Sequence, residues 1–298
     1  MAESSKNLKT KGILLIAFGK PGYGFAAYNM ALSIKKFNPK LPITLLADSV
    51  ATAYLEKWML SSFDSVVSLS AQDHTHKNKF EPAKVKCQIY NYLPYDETLY
   101  LDVDGCALQD ITPLIERLSA NDRYFQTDVI SLGGINDKLS YSWAANKDIW
   151  HRFKLKDEQT YYSVQSSFAY IKKGKQAEKL FSKIESNFLN EVFPYDELRF
   201  KWGGSMPDEL IVGGTCSQMN YNPESGISPV FFGASFDTRT FSQIEADKYI
   251  LSIHGNGTGA TLTKLKYIEW YDRLMKNISK YAFKSNSIMK DKHANKRQ

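Results

Sequence analysis
The chain has 298 residues, 43% of them apolar, enough to bury one sizeable core without calling for a second full domain. No stretch approaches the roughly 20 apolar residues that cross a bilayer, which excludes a transmembrane helix. The formal charge of +6 belongs to residues 271–298, which hold eight Lys or Arg against Asp272 and Asp291; residues 1–270 are formally neutral, so the basic balance does not mark the body as a polyanion binder.

The polar, basic start is followed by an apolar run, Ile13–Phe18, too short for a signal peptide, so a soluble cytoplasmic protein is expected. Gly12–Ala17 reads as a strand buried on both faces, followed by a glycine-rich turn over Gly19–Gly24. A helical pattern from Phe25 to Lys36 stops at Asn38-Pro39. Leu41–Ala47 is a second buried strand, Ala51–Leu60 a helix, Ser65–Leu69 a third strand, Glu81–Tyr92 a helix and Thr98–Val103 another strand. Further on, Thr127–Leu132, Ser166–Ile171 and Tyr249–Ile253 read as strands. Ala177–Asn187 and Lys264–Met275 read as helices, and a short helix opens at Glu209. Strands alternating with helices of these lengths specify an α/β fold whose sheet is mainly parallel. Ligands of such sheets lie beyond the carboxyl ends of the strands, where Phe18–Tyr23, Asp48 and Asp102–Asp104 fall.

Cys87, Cys106 and Cys216 are odd in number and lack metal-ligand spacing, so they are expected to be buried thiols. His74 and His76 form an H-x-H in a lysine-rich loop with no third ligand nearby in sequence, a poor pattern for a metal. The G-x-x-G-x-G of Gly19–Gly24 departs from the dinucleotide fingerprint, and no P-loop is present.

The strongest signal is Leu99-Tyr-Leu-Asp-Val-Asp-Gly105, where an apolar strand delivers two carboxylates to the edge of the sheet. On an extended backbone, Asp102 and Asp104 point to opposite faces; they converge on one cation only if the strand breaks, which Gly105 favours. Mg²⁺ and Mn²⁺ take carboxylate oxygens together with substrate phosphates.

The phrase "LPYDETLYLDVDGCALQDITPL" resembles the donor-metal strand of GT-A glycosyltransferases, and within them the family 8 and glycogenin-like enzymes. "ILLIAFGKPGYGFAAYNMALSIKKFNPKLPITLLADS" is similar to their first β-α-β unit. "VQSSFAYIKKGKQAEKLF", "SMPDELIV" and "LSIHGNG" follow in the family's order, the last where its histidine metal ligand stands. The resemblance covers residues 12–260 and implies a single GT-A (Rossmann-like) domain, residues 1–270, with a mixed, mainly parallel central sheet flanked by helices and a basic tail over 271–298.

By the same resemblance, Asp102, Asp104 and His254 hold Mn²⁺ or Mg²⁺ across the diphosphate of a nucleotide-sugar donor, expected to be UDP-linked. Ala17, Phe18, Gly19 and Tyr23 lie against the nucleotide, and Asp48 contacts base or ribose or else caps the helix after it. Lys84 faces sugar and phosphates, and Gly255 and Gly257 allow close approach to phosphate. Asp208, with Glu209 as substitute, stands beside the sugar ring; both acids also suit a helix N-terminus. The late segment lacks the family's Lys-Pro-Trp, Gln165 stands where Asn is usual, and Asp208-Glu209 replaces Asp-Gln.

A sugar nucleotidyltransferase would carry Arg and more Lys in the loop after the first strand, which here holds Lys20 alone. A non-catalytic nucleotide-sugar-binding module acting through its basic tail is the other alternative. The acceptor is open among a glycan, a lipid-linked sugar, a protein side chain and a modified nucleic-acid base. Trp143, Trp150, Tyr161, Tyr162 and Trp202 offer rings that could stack on it, although most of them are expected to be core or cleft wall, and the tail offers contact with an anionic surface.

Overall fold
The computed structural model describes residues 10–120, 125–139, 143–194, 206–232, 243 and 246–252. Strand β1 (Lys11–Ala17) lies at the heart of a six-stranded sheet, and its alternation splits the apolar side chains between two cores. Leu14 and Ile16 join the core on one face, while Ile13, Leu15 and Ala17 join the other. Strands β2 (Ile43–Ala47) and β3 (Ser65–Ser68) extend the sheet in parallel on one side of β1, and β6 (Glu97–Leu101) pairs parallel to it on the other. The chain thus leaves β1 toward β2 and returns to place β6 on the opposite side, leaving a crevice where the strand order switches. Strands β9 (Tyr161–Lys172) and β8 (Phe125–Gly133) complete the order β3-β2-β1-β6-β9-β8, both pairs antiparallel. The sheet is mixed, with a parallel core.

Helix α1 (Pro21–Phe37) links β1 to β2 and begins four residues earlier than the sequence pattern placed it. Pro21 opens it, since a first-turn proline has no N–H to lose and a φ already suited to helix. Most of the glycine-rich stretch is therefore helix. Gly24 faces α2 (Ser49–Thr52), where a Cβ would overlap the carbonyl oxygen of Ala51. The single helix expected over Ala51–Leu60 is two short ones, α2 and α3 (Lys57–Leu60). The helix expected over Glu81–Tyr92 is α4 (Pro82–Cys87) followed by a 3₁₀ turn at Ile89–Tyr92.

A hairpin of β4 (Thr75–His76) and β5 (Lys79–Phe80) precedes α4, turning through Lys77 and Asn78 at positive φ. A second, three-stranded sheet joins β7 (Gly105–Ala107) antiparallel to β11 (Ile250–Ser252), which pairs parallel with β10 (Val230–Phe232). Helices α5 (Thr112–Ser119) and α6 (Asn146–Phe153) follow β7 and β8.

Helix α7 (Lys175–Leu189) presents Leu180, Phe181, Ile184 and Phe188 to the core. Helix α8 (Asp208–Gln218) is longer than the short helix expected and buried from Asp208 to Ser217. Gly213 and Gly214 make that burial possible, because a Cβ at either would overlap Tyr162 backbone or the Phe153 ring. Trp150 and Tyr161 are core residues, in keeping with the expectation that most of the five rings are core or cleft wall. All three cysteines are buried and outside any disulfide. No described helix is long and apolar enough to cross a membrane. His254, Gly255, Gly257, Trp202, the helix expected at Lys264–Met275 and the basic tail lie outside the described residues.

Candidate active site
The carboxyl ends of β1, β2 and β6 bring the predicted residues to one edge of the sheet. β6 ends at Leu101, one residue short of Asp102, and a bend over Val103 and Asp104 breaks the strand before β7 begins at Gly105. This is the break that two carboxylates on one strand need in order to converge. Each of them bears on Tyr23: burial, then Asp104, then Asp102 push its phenol upward, against the pull of Lys86. Tyr23 stands in the first turn of α1 and is 41% exposed as a residue, so part of it is open to a planar ligand.

Asp102 is tightly held. Its N–H donates to Ser167 O at 2.9 Å, fixing the backbone to β9. Tyr100 donates its hydroxyl to Oδ1, and the Lys86 ammonium lies 3.0 Å from Oδ2. Burial raises the Asp102 carboxyl above the ordinary range; Lys86 opposes this, and Asp104 and Asp208 add to it. Lys86 lies 3.8 Å from Asp208 Oδ2 as well, and that oxygen is buried without a hydrogen-bond partner among the described residues. Burial alone would depress Lys86, yet Asp102 and Asp208 outweigh it and hold the ammonium well above the usual lysine range.

Asp208 and Glu209 open α8, and both are buried. Part of their placement comes from Glu81, whose carboxylate caps α4 at Ala83 and accepts the Met206 N–H at 3.3 Å. Helices α4 and α8 are thus joined beside the site, and α4 supplies Lys86. Lys84, the basic residue expected to face the phosphates, points elsewhere in this structure. It donates to Gln72 O at 2.7 Å and Thr75 O at 3.0 Å, bracing the loop before the β4–β5 hairpin. Lys86 stands among the carboxylates where Lys84 was expected. An alternating Lys-Val-Lys on a helix is the signal that could have raised it, since residues two apart face different ways.

On the β1–β2 side, Asp48 is a buried organiser. Its Oδ1 accepts the Ala51 N–H at 2.8 Å, the helix cap considered as its alternative role, and Oδ2 accepts the Gly19 N–H at 2.9 Å. Gly19 has φ +76°, and a Cβ there would run into the Phe80 ring. Phe18 packs against His74, the rings 5.4 Å apart and nearly parallel. His74 and His76 face Asp48 and Glu191 respectively. Ala17 ends β1 in parallel register with Ala47.

A small cavity runs behind Asp102 between the two sheets, lined by Leu101, Gly105, Ser167, Leu251 and Ser252 among others. Ser166 and Ser167, which lie in the family-like segment "VQSSFAYIKKGKQAEKLF" but were given no role of their own, bury their hydroxyls without partners among the described residues. Ser252 pairs with Gly105, so the described chain ends beside the bend that carries Asp104. Among the described residues, no group of three His, Cys, Asp or Glu is disposed to hold a metal. A hard divalent cation nevertheless suits the chemistry here, because the negative charge gathered on Asp102, Asp104, Asp208 and Glu209 is met by Lys86.

No protein-family model matches the chain, and no curated protein is similar to it in sequence. Solved structures are similar in fold. The apo structure of WbbM, a bifunctional glycosyltransferase, aligns with TM-score 0.56 at 11% identity over 96% of this chain and 53% of that one. This chain therefore spans about half of that protein's length. The galactosyltransferase LgtC, in complex with donor and acceptor sugar analogues, aligns over 90% of this chain and 96% of its own at 13% identity, with TM-score 0.49. Mouse xyloside xylosyltransferase 1 aligns over 85% and 99% at 10% identity, also with TM-score 0.49. The fold assignment rests on the first of these together with the sheet order: the chain has the GT-A glycosyltransferase fold.

Proposed function
We propose that the chain transfers a sugar from a nucleotide-diphosphate donor to an acceptor hydroxyl, in the crevice between the carboxyl ends of β1 and β6. The observation that carries this reading is the pairing of Ser252 with Gly105, which sets the end of β11 beside the D-x-D bend. His254, the third ligand that the resemblance implies, comes two residues later in the sequence and lies outside the described residues; with Asp102 and Asp104 it would make an N/O₂ donor set suited to Mn²⁺ or Mg²⁺. When bound, such an ion supplies Lewis-acid stabilisation of the departing diphosphate.

The chain's own residues supply the rest. Tyr100 and the Ser167 carbonyl fix the orientation of Asp102 before substrate arrives, so little reorganisation is left for the transition state. Lys86 tempers the mutual repulsion of Asp102 and Asp208 and offers a positive charge to the diphosphate. Asp208 brings a carboxylate oxygen with no hydrogen-bond partner among the described residues to the side where the donor sugar would lie, fit to hold a sugar hydroxyl or to face oxocarbenium-like charge. The exposed Tyr23 ring offers a stacking face for the base, and Gly255 and Gly257 would let backbone approach phosphate.

The test is thermal denaturation with UDP-, GDP-, CMP- and dTDP-sugars, with and without Mn²⁺. A donor that binds the folded chain raises its melting temperature by mass action. Stabilisation by a UDP-sugar that requires the metal is expected; no shift with any donor in either Mn²⁺ or Mg²⁺ overturns the reading.

A further inference from the structure
We infer that His74 is a positioning residue for the donor site, holding the Asp48 carboxylate against the Gly19 N–H so that the turn after β1 keeps its shape. The inference rests on the donor-site reading above and assigns that site a determinant the D-x-D pattern does not reveal.

His74 lies on the loop between β3 and β4 and is about nine-tenths buried. Its carbonyl accepts the Glu81 N–H at 2.8 Å, tying this loop to the start of α4. Its ring stacks flat on Phe18, with 3° between the planes, and meets Phe80 edge-on at 5.3 Å. Nε2 lies 3.4 Å from Asp48 Oδ2, the same oxygen that accepts the Gly19 N–H at 2.9 Å. Nδ1 is buried without a partner among the described residues. A proton on Nδ1 would be a buried donor with no acceptor, so the favoured tautomer carries its proton on Nε2, toward the Asp48 carboxylate.

One carboxylate therefore gathers the cap of α2, the N–H of Gly19 and the edge of His74. The turn it holds is conformationally demanding, because Gly19 takes a left-handed φ of +76° and the Phe80 ring occupies the space beside its Cα. Tyr23 follows one turn later, its N–H donating to Lys20 O at 3.1 Å. The aromatic face proposed for the base is thus anchored to a backbone segment whose geometry Asp48 and His74 set. Without the Nε2–H, Asp48 keeps two backbone N–H donors but loses the group that fixes its plane, and the turn and Tyr23 loosen together.

Two substitutions separate the parts of the ring. His74→Gln keeps an amide N–H toward Asp48 and gives up the stack, whereas His74→Phe keeps the stack and gives up the donor. Uridine diphosphate with Mn²⁺ is titrated calorimetrically into the full wild-type chain and both variants, alongside their melting temperatures. His74→Phe is expected to bind about tenfold more weakly, from the loss of the buried Nε2 contact with Asp48, and His74→Gln within about threefold of wild type. In sugar-transfer assays, His74→Phe raises the donor KM and leaves kcat within about twofold, a split that general loss of folded protein would not produce. Wild-type affinity in His74→Phe overturns the inference, as does equal weakening in both variants at unchanged melting temperature. If His74→Phe does not fold, Asp48→Asn tests the same link: the same weakening is expected, and unchanged binding again overturns the inference. Failure of the wild-type chain to bind uridine, adenosine, guanosine or cytidine diphosphate instead sinks the donor-site reading itself.

Discussion
Lys86 sits where two buried carboxylates compete for one ammonium, 3.0 Å from Asp102 and 3.8 Å from Asp208. Replacing it by methionine keeps the apolar stem and leaves both acids uncompensated, which should cost about 3–5 kcal/mol of stability. Because the lost charge also faces the proposed diphosphate, kcat/KM for donor hydrolysis should fall by about 10²-fold. Lys84→Ala removes two carbonyl contacts at the protein surface instead, and its kcat/KM should stay within about threefold of wild type. Steady-state kinetics on the two variants checks the assignment: equal losses would mean that Lys86 has no special place. The acidic pair was legible in the sequence because a strand ending in D-x-D-G carries its chemistry in consecutive residues. Choosing between Lys84 and Lys86 was not, because two residues on a helix turn a side chain through about 200° and only the packed helix fixes its phase.

Elements decide how the site closes. β7 and β11 meet at Gly105, where a Cβ would overlap the Leu251 carbonyl oxygen. Gly105→Ala should therefore wedge the two strands apart and shift the end of β11, which the proposed third ligand follows in sequence, away from the D-x-D bend. Its expected signature is loss of the Mn²⁺-dependent part of donor stabilisation, with a fall in stability of about 1–3 kcal/mol. Full retention of metal-dependent stabilisation in this variant would count against a ligand from that segment. Gly24 makes the parallel case for α1: Gly24→Ala pushes that helix off α2 and should cost a similar amount in chemical denaturation. From sequence alone, Gly19–Gly24 reads as a loop because three glycines in six residues look like a turn. Close helix packing, which no local pattern announces, is what Gly24 serves.

At the scale of the whole molecule, the opposite end of the sheet is held by a buried carboxylate. Glu97, at the start of β6, accepts from Tyr170 of β9 and Ser119 of α5 and pairs with Lys11 of β1 at 3.3 Å. Burial pushes its carboxyl up, but these partners outweigh burial and hold it below the ordinary range. Asp64, Asp73, Asp110 and Glu191 are also held low, each by its own hydrogen bonds. A group whose pKa is lower folded than unfolded stabilises above its unfolded value and loses that contribution as pH falls through the folded one. Stability should thus decline as pH falls below the ordinary carboxylate range, read as a falling denaturation midpoint. Glu97→Gln should be less stable at pH 7 and less sensitive to acid. The basic tail makes a separate prediction: removing residues 277–298 should spare donor hydrolysis and weaken use of the acceptor at low salt, where surface charge acts furthest. Unchanged acceptor kinetics in the truncated chain would remove any role for the tail in acceptor capture.

Apolar runs of strand length, their alternation with helices and the acidic pair at a strand end were enough to specify an α/β sheet and one edge of the candidate site. Those features are local, written within a few residues by backbone periodicity and side-chain chemistry. The antiparallel run of β9 beside β6, the burial of α8 with Asp208 and Glu209, the capture of Met206 by Glu81 and the choice of Lys86 depend on contacts between residues 16 to 125 positions apart. Such contacts form when packing fixes helix phase and strand register, and a side chain's partners follow from that phase, whatever its place in the sequence.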